Sequence, residues 1–98
     1  MEESEEVARE ALELLRDSQG NSHPLTLATM SVLAGVMDLR ERHSPAASLH
    51  KEAVVGLRAK LGDTHPATLD VVFRYAQHLL QIKEYKLAIE MVRLALPG

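Results

Sequence analysis

The chain has no cysteine and no tryptophan, and its aromatic residues are one phenylalanine and two tyrosines. Without cysteine there is neither a disulfide framework nor a thiolate metal site, which fits an intracellular, cytoplasmic address. With aromatics at 3% but apolar residues at 46%, a core must be built from Leu, Val, Ala and Met. That composition suits packed helices better than a sandwich of strands. Long apolar runs are also missing. The uncharged run from Pro24 to Met37 contains Thr26, Thr29 and Ser31 and falls short of the roughly 20 apolar residues of a membrane span. The opening "MEESEE" is the opposite of a signal or transit peptide, so the expectation is a soluble chain that is not exported. A basic excess is absent as well: the net charge is −3, and no stripe of Lys or Arg marks a nucleic-acid face. Residues 1–17 carry −5 of that charge and the remainder +2. The acidic opening reads as a solvated first helical turn, each carboxylate contributing about 0.3–1 kcal/mol near the positive end of the helix.

What the sequence does have is a phrase written twice. "GNSHPLTL" (Gly20 to Leu27) returns as "GDTHPATL" (Gly62 to Leu69), 42 residues on. At that offset 13 of 56 aligned pairs are identical, where about four are expected by chance. The matches include Glu10/Glu52, Leu15/Leu57, His23/His65, Pro24/Pro66, Ala34/Ala76, Ala46/Ala88 and Ala53/Ala95. Gly56/Gly98, at the chain end, is set aside as accidental. The repeat is internal and extends over nearly the whole chain.

Each copy reads as two helices. From about His23 to Arg40 the apolar positions are Leu27, Met30, Leu33, Ala34 and Met37, and the second copy gives Leu69, Val72, Tyr75, Ala76 and Leu79, a helical spacing. Gly ends one helix, Ser22 or Thr64 caps the next, and Pro24 or Pro66 sits where a missing N–H costs little. His23 and His65 fall in that turn. The partner helix begins at Ser44-Pro45, again a cap followed by Pro, and carries Ala46, Leu49, Ala53, Leu57 and Leu61 on one face. Its second copy runs from about Lys86 with Ala88, Met91 or Val92, and Ala95. The first segment aligns Ala8, Ala11 and Leu15 with His50, Ala53 and Leu57, so it is the second helix of a preceding unit. The predicted fold is all-α, an antiparallel helix-pair repeat solenoid of five helices in B-A-B-A-B order. It forms one domain over 1–98, with a half repeat at 3–18, repeat 1 at 23–61 and repeat 2 at 65–96.

With the histidine–proline pair opening each first helix, Leu33-Ala34 and Tyr75-Ala76 within it, and Ala46, Ala53, Ala88 and Ala95 in the second helices, the chain resembles a tetratricopeptide repeat of the 42-residue kinesin-light-chain-like type. Tyr85 stands where that family commonly has an aromatic in the turn, and the first copy has His43 there. The resemblance implies a concave groove lined by the first helices. Its facing positions would be Ala28, Ser31, Gly35, Asp38 and Leu39 in one copy and Asp70, Phe73, Gln77, Leu80 and Gln81 in the other, with Arg74 beside Phe73. Where light chains often have an Asn-Asn pair just before Leu-Ala, this chain has Ser31-Val32 and Phe73-Arg74.

Function is expected from that groove: a non-enzymatic protein–protein interaction scaffold for a peptide or protein partner. The alternative is an accessory helical segment of a larger enzyme or signalling protein, with no independent ligand. No nucleophile with a placed base and no phosphate-cradling loop is evident, so neither catalysis nor a cofactor is expected. Of the five histidines, His23 and His65 are about 10 Å apart on stacked repeats, and His43 and His50 lack an evident third ligand, so no metal site is expected. Asp38 and Asp70 read as isolated, solvated acids. The final helix, "KLAIEMVRLALPG", ends on Leu94, Ala95 and Leu96. The expectation is therefore a chain cut from a longer array or self-associating through that helix.

Overall fold

The computed structural model describes residues 2–95, with side chains from Glu5 onward. The expectations that fall on Leu96 and Gly98 lie outside the described residues. Five helices follow one another: α1 Glu2–Gln19, α2 Pro24–Leu39, α3 His43–Leu61, α4 Pro66–Gln81 and α5 Tyr85–Ala95. Among the described residues there is no strand. Each helix packs on the next, and α2 also packs on α4. Thus α2 and α4 lie side by side in one layer, with α1, α3 and α5 in the other. The slab measures 38 × 29 × 16 Å.

The doubled phrase is a doubled turn. Gly20 and Gly62 close α1 and α3 with φ of 87° and 89°, a region where a Cβ is strained. The caps of α2 and α4 correct the sequence expectation. His23 and His65, rather than Ser22 and Thr64, are the N-cap residues, and their Nδ1 atoms accept from Leu25 N–H and Ala67 N–H at 3.1 Å in both copies. An imidazole nitrogen reaching two residues forward does what a Ser or Thr hydroxyl does at this position, and Pro24 and Pro66 follow at the first helical position.

The opposite ends of α2 and α4 also match. Arg42 N–H bonds Met37 C=O and Glu41 N–H bonds Asp38 C=O; Glu84 N–H bonds Leu79 C=O and Lys83 N–H bonds Leu80 C=O. Each pair is a Schellman closure with a left-handed residue at its centre. Here that residue is not glycine: Glu41 has φ 60° and Lys83 has φ 66°. A second correction concerns α3, which starts at His43, one residue before Ser44, with Arg42 as its N-cap and no side-chain cap bond. Pro45 then lies inside the first turn, where the missing N–H still has no intrahelical acceptor.

The core runs between the layers. Met30, Ala34, Ala46, Ala53 and Leu57 are wholly buried, and Ala76, Ala88 and Ala95 are nearly so. Small side chains at these crossings let the helices approach closely. Gly56 goes further, since a Cβ there would stand 2.7 Å from both terminal methyls of Leu27. Glycine at this position therefore lets α3 approach α2.

The acidic opening is not simply a solvated turn. Glu5 is buried, and its carboxylate accepts from Arg9 at 2.9 and 3.1 Å, from Arg40 at 3.1 Å and from Arg42 at 2.5 Å. The Arg9 hydrogen bond and those of its neighbours hold the Glu5 pKa below the usual carboxylate value, against the upward push of burial. Arg40 and Arg42 belong to the turn after α2, so this cluster anchors α1 to the first repeat.

Candidate functional site

The stripe that buries α2 decides the site. Leu27, Ser31, Ala34 and Asp38 recur at helical spacing, so all four share the inward face. Ser31, expected in the groove, is completely buried and its hydroxyl has no hydrogen-bond partner among the described residues. Asp38, expected as a solvated acid, is also buried, its side chain only 4% exposed. Both expectations are corrected for the same reason: one turn beyond Leu27 and Ala34 the chain still points at the neighbouring helices.

Three histidines surround Asp38. His43 Nδ1 and His78 Nδ1 lie 2.8 Å from its Oδ1, and His50 Nε2 lies 2.8 Å from its Oδ2. They arrive from the start of α3, the middle of α3 and the last turn of α4. The Asp38–His78 bond therefore joins the two repeats. Burial pushes the Asp38 pKa up, but the hydrogen bonds to His43, His78 and His50 outweigh it and hold the pKa below the ordinary value. For His50, burial dominates and the Asp38 carboxylate only partly offsets it, so its pKa is lowered. An ionised carboxylate only accepts, so the imidazole N–H groups donate to it. Tyr75 stacks on His50 and His78 at centroid distances of 6.0 and 6.1 Å. His50 Nδ1 and His78 Nε2 are buried without a partner among the described residues.

Above this cluster a cleft of about 280 Å³ opens between α2 and α4. Its lining includes Gly35 and Leu39 on one side, Arg74, Gln77 and Gln81 on the other, and Asp38, His50 and His78 at its base. A Cβ on Gly35 would sit 3.8 Å from the Arg74 guanidinium, so the missing side chain widens the cleft opposite Arg74. Asp70, exposed, receives the Arg74 Nε–H at 3.2 Å. Phe73 is 43% exposed and does not line the cleft. Of the residues singled out from the sequence, the structure brings Gly35, Asp38, Arg74, Gln77 and Gln81 to one cleft and leaves Ser31, Asp70 and Phe73 off its walls.

Sequence reasoning missed His43, His50 and His78 as a group. The sequence does hold a signal for them. At the 42-residue offset His43, His50 and Asp38 pair with Tyr85, Val92 and Leu80, and His78 pairs with Val36. Four positions in the helix-packing register are polar in one copy and apolar or aromatic in the other, and all four meet. Asp38 stands within hydrogen-bond distance of His43, His50 and His78 alike.

The two-layer order of paired helices and the matched turns agree with the comparison to known families, in which the tetratricopeptide repeat model matches residues 1–59. The chain belongs to the tetratricopeptide repeat family. A 46-residue stretch is 50% identical to "Tetratricopeptide repeat protein 19, mitochondrial" of Danio rerio, covering 47% of this chain and 11% of that protein. The chain thus spans about a ninth of that relative's length. Tetratricopeptide repeats are protein–protein interaction scaffolds in general, and the family points to a non-catalytic role of this kind here.

Proposed function

We propose that this tetratricopeptide repeat domain receives a protein or peptide partner in the cleft between α2 and α4. The observation that carries the reading is the cleft itself. It is a concave opening on the paired first helices, with a Gly35 gap on one wall and the hydrogen-bonding heads of Arg74, Gln77 and Gln81 on the other. Two side-chain amides and a guanidinium suit an extended backbone or an acidic side chain rather than an apolar helix. The kinesin-light-chain-like character belongs to this proposal, supported by His23-Pro24 and His65-Pro66 at the helix openings. So does an intracellular address; the zebrafish relative carries "mitochondrial" in its name, which makes mitochondrion against cytosol the distinction for fractionation to draw.

The test is NMR of the labelled chain titrated with an array of extended peptides, acidic and neutral. Saturable shifts at Gly35, Arg74, Gln77 and Gln81, weakened by Arg74→Ala, support the reading. A folded domain whose shifts gather elsewhere, or that shows none across the array, removes it.

A second reading has its own observation. Between α4 and α5 lies an apolar cleft of about 230 Å³, lined by Ala76, Leu80, Ala88, Ile89, Val92 and Arg93. Leu80 and Ile89 are half exposed there. Such a surface fits an accessory segment packed on further helices, or self-association through α5. Sedimentation at increasing concentration distinguishes them: a dimer abolished by Ile89→Glu supports self-association, and a monomer throughout leaves the packed segment.

A further inference from the structure

The cluster beneath the cleft contains more coordinating capacity than the hydrogen bonds use. Asp38, His50 and His78 are each at least nine-tenths buried, and one donor atom from each lies within 4.8 Å of the other two. His43, whose Nδ1 is 2.8 Å from Asp38 Oδ1, stands at the rim with its side chain 29% exposed. Three imidazoles and one carboxylate are a nitrogen–oxygen ligand set of the kind that holds zinc. We propose that Asp38, His50 and His78, with His43 as the fourth donor, form a zinc(II) site.

The distances are close to what the metal requires. Zinc holds nitrogen and oxygen ligands at about 2.0–2.2 Å, which in a tetrahedron separates the donors by roughly 3.3 Å. The observed contacts of 2.8 Å must open by about half an ångström, and the widest pair among Asp38, His50 and His78, at no more than 4.8 Å, must close. Side-chain rotations of that size need no movement of the helices. The ligands come from three helices already packed together, and Tyr75 lies against two of the rings, so little ordering remains to be done on binding. Each imidazole has two nitrogens, and in His50 and His78 the second is buried without a partner. On metal binding the ring proton transfers to the far nitrogen, leaving the near lone pair free for the metal. The charge balance is suitable too: one carboxylate and three neutral rings leave a single positive charge, and Arg74, the nearest cation lining the cleft, is engaged by Asp70. The cleft supplies the entry path, because the same three ligands line its base.

The experiment uses the full chain, stripped with a chelator and titrated first with cobalt(II) chloride and then with zinc(II) chloride. The expected result is saturable one-to-one binding, with the intense visible absorption of four-coordinate cobalt, which zinc then bleaches. Ring-nitrogen NMR of the unaltered protein should show shifts at His43, His50 and His78 and none at His23 and His65. His78→Gln and His50→Gln should each lower affinity at least about tenfold, while His23→Gln/His65→Gln should not. If either buried variant fails to fold, the ring shifts of the unaltered chain locate the metal by themselves. A folded protein with no saturable cobalt or zinc binding overturns the proposal, as do ring shifts confined to His23 and His65. Either failure leaves the peptide reading of the cleft untouched.

Discussion

The two copies of the repeat agree at their edges and disagree at their centre. Their N-caps, left-handed turns and closing glycines coincide within a few degrees and a tenth of an ångström. Yet Asp38 and His50, which build the polar cluster, correspond to Leu80 and Val92, which line an open apolar cleft. The turn chemistry is fixed by what any such repeat needs to fold. The inward residues between the turns are free to differ, and there Asp38, His43 and His50 of the first copy meet His78 of the second in a site that is not repeated.

Breaking the cluster tests that contrast most severely. Asp38→Ala leaves three imidazoles without their acceptor and should destabilise the chain by about 3 kcal/mol, measured as a shift in the urea midpoint. Making the two copies alike at these positions, with Asp38→Leu and His50→Val as in the second copy and His78→Val as in the first, should recover most of that loss, because apolar replacement of a whole buried polar group is often neutral. A triple variant no better than Asp38→Ala would show that the cluster is structurally indispensable. Next comes overpacking at the matched small residues. Ala34→Leu and Ala76→Leu should each cost about 1–3 kcal/mol, and unchanged melting curves would refute the shared packing register.

Acid should produce a partial form of the same loss. His50 takes up a proton in the unfolded chain near pH 6.5 but resists it when folded, so stability declines as the pH falls below about 6.5. Asp38, with its lowered folded pKa, contributes stability that is present above about pH 3.9 and is lost as the pH falls through its folded value. In chelator-treated protein the melting temperature should be flat near pH 7 to 8 and decline in these two stages. Asp38→Leu/His50→Val/His78→Val should flatten the first stage. The smallest effect concerns what the copies share: Glu41→Gly and Lys83→Gly should each stabilise by about 0.5–1 kcal/mol. A loss at either position would mean that its side chain makes a contact worth more than the strain.

The helices and their turns were legible because their causes are local. Gly20, Pro24, Gly62 and Pro66 act within a few residues, and the apolar stripe of α2 is written in a single turn-by-turn pattern. The cluster was not legible because Asp38 and His78 are 40 residues apart in sequence, and their contact depends on how α4 lies against α2. Polarity misled as well. Its charge suggests that Asp38 is solvated, whereas its spacing from Ala34 places it on the buried face. The same holds for Glu5, whose guanidinium partners Arg40 and Arg42 are also distant in sequence. Gly35, Arg74, Gln77 and Gln81 were reachable from the family register, which carries the geometry of the groove.

The Asp38–His78 bond also bears on how the chain unravels. Helical arrays lose units from their ends because each unit leans only on its neighbours. Peeling α4 and α5 away here would strip a partner from a charged carboxylate still lodged between α2 and α3. Amide hydrogen exchange should therefore not decay evenly along the chain. The amides of α5 should exchange by local fraying, while those around Met37, Ala53 and Leu79 exchange together, as one unit drawn from two repeats.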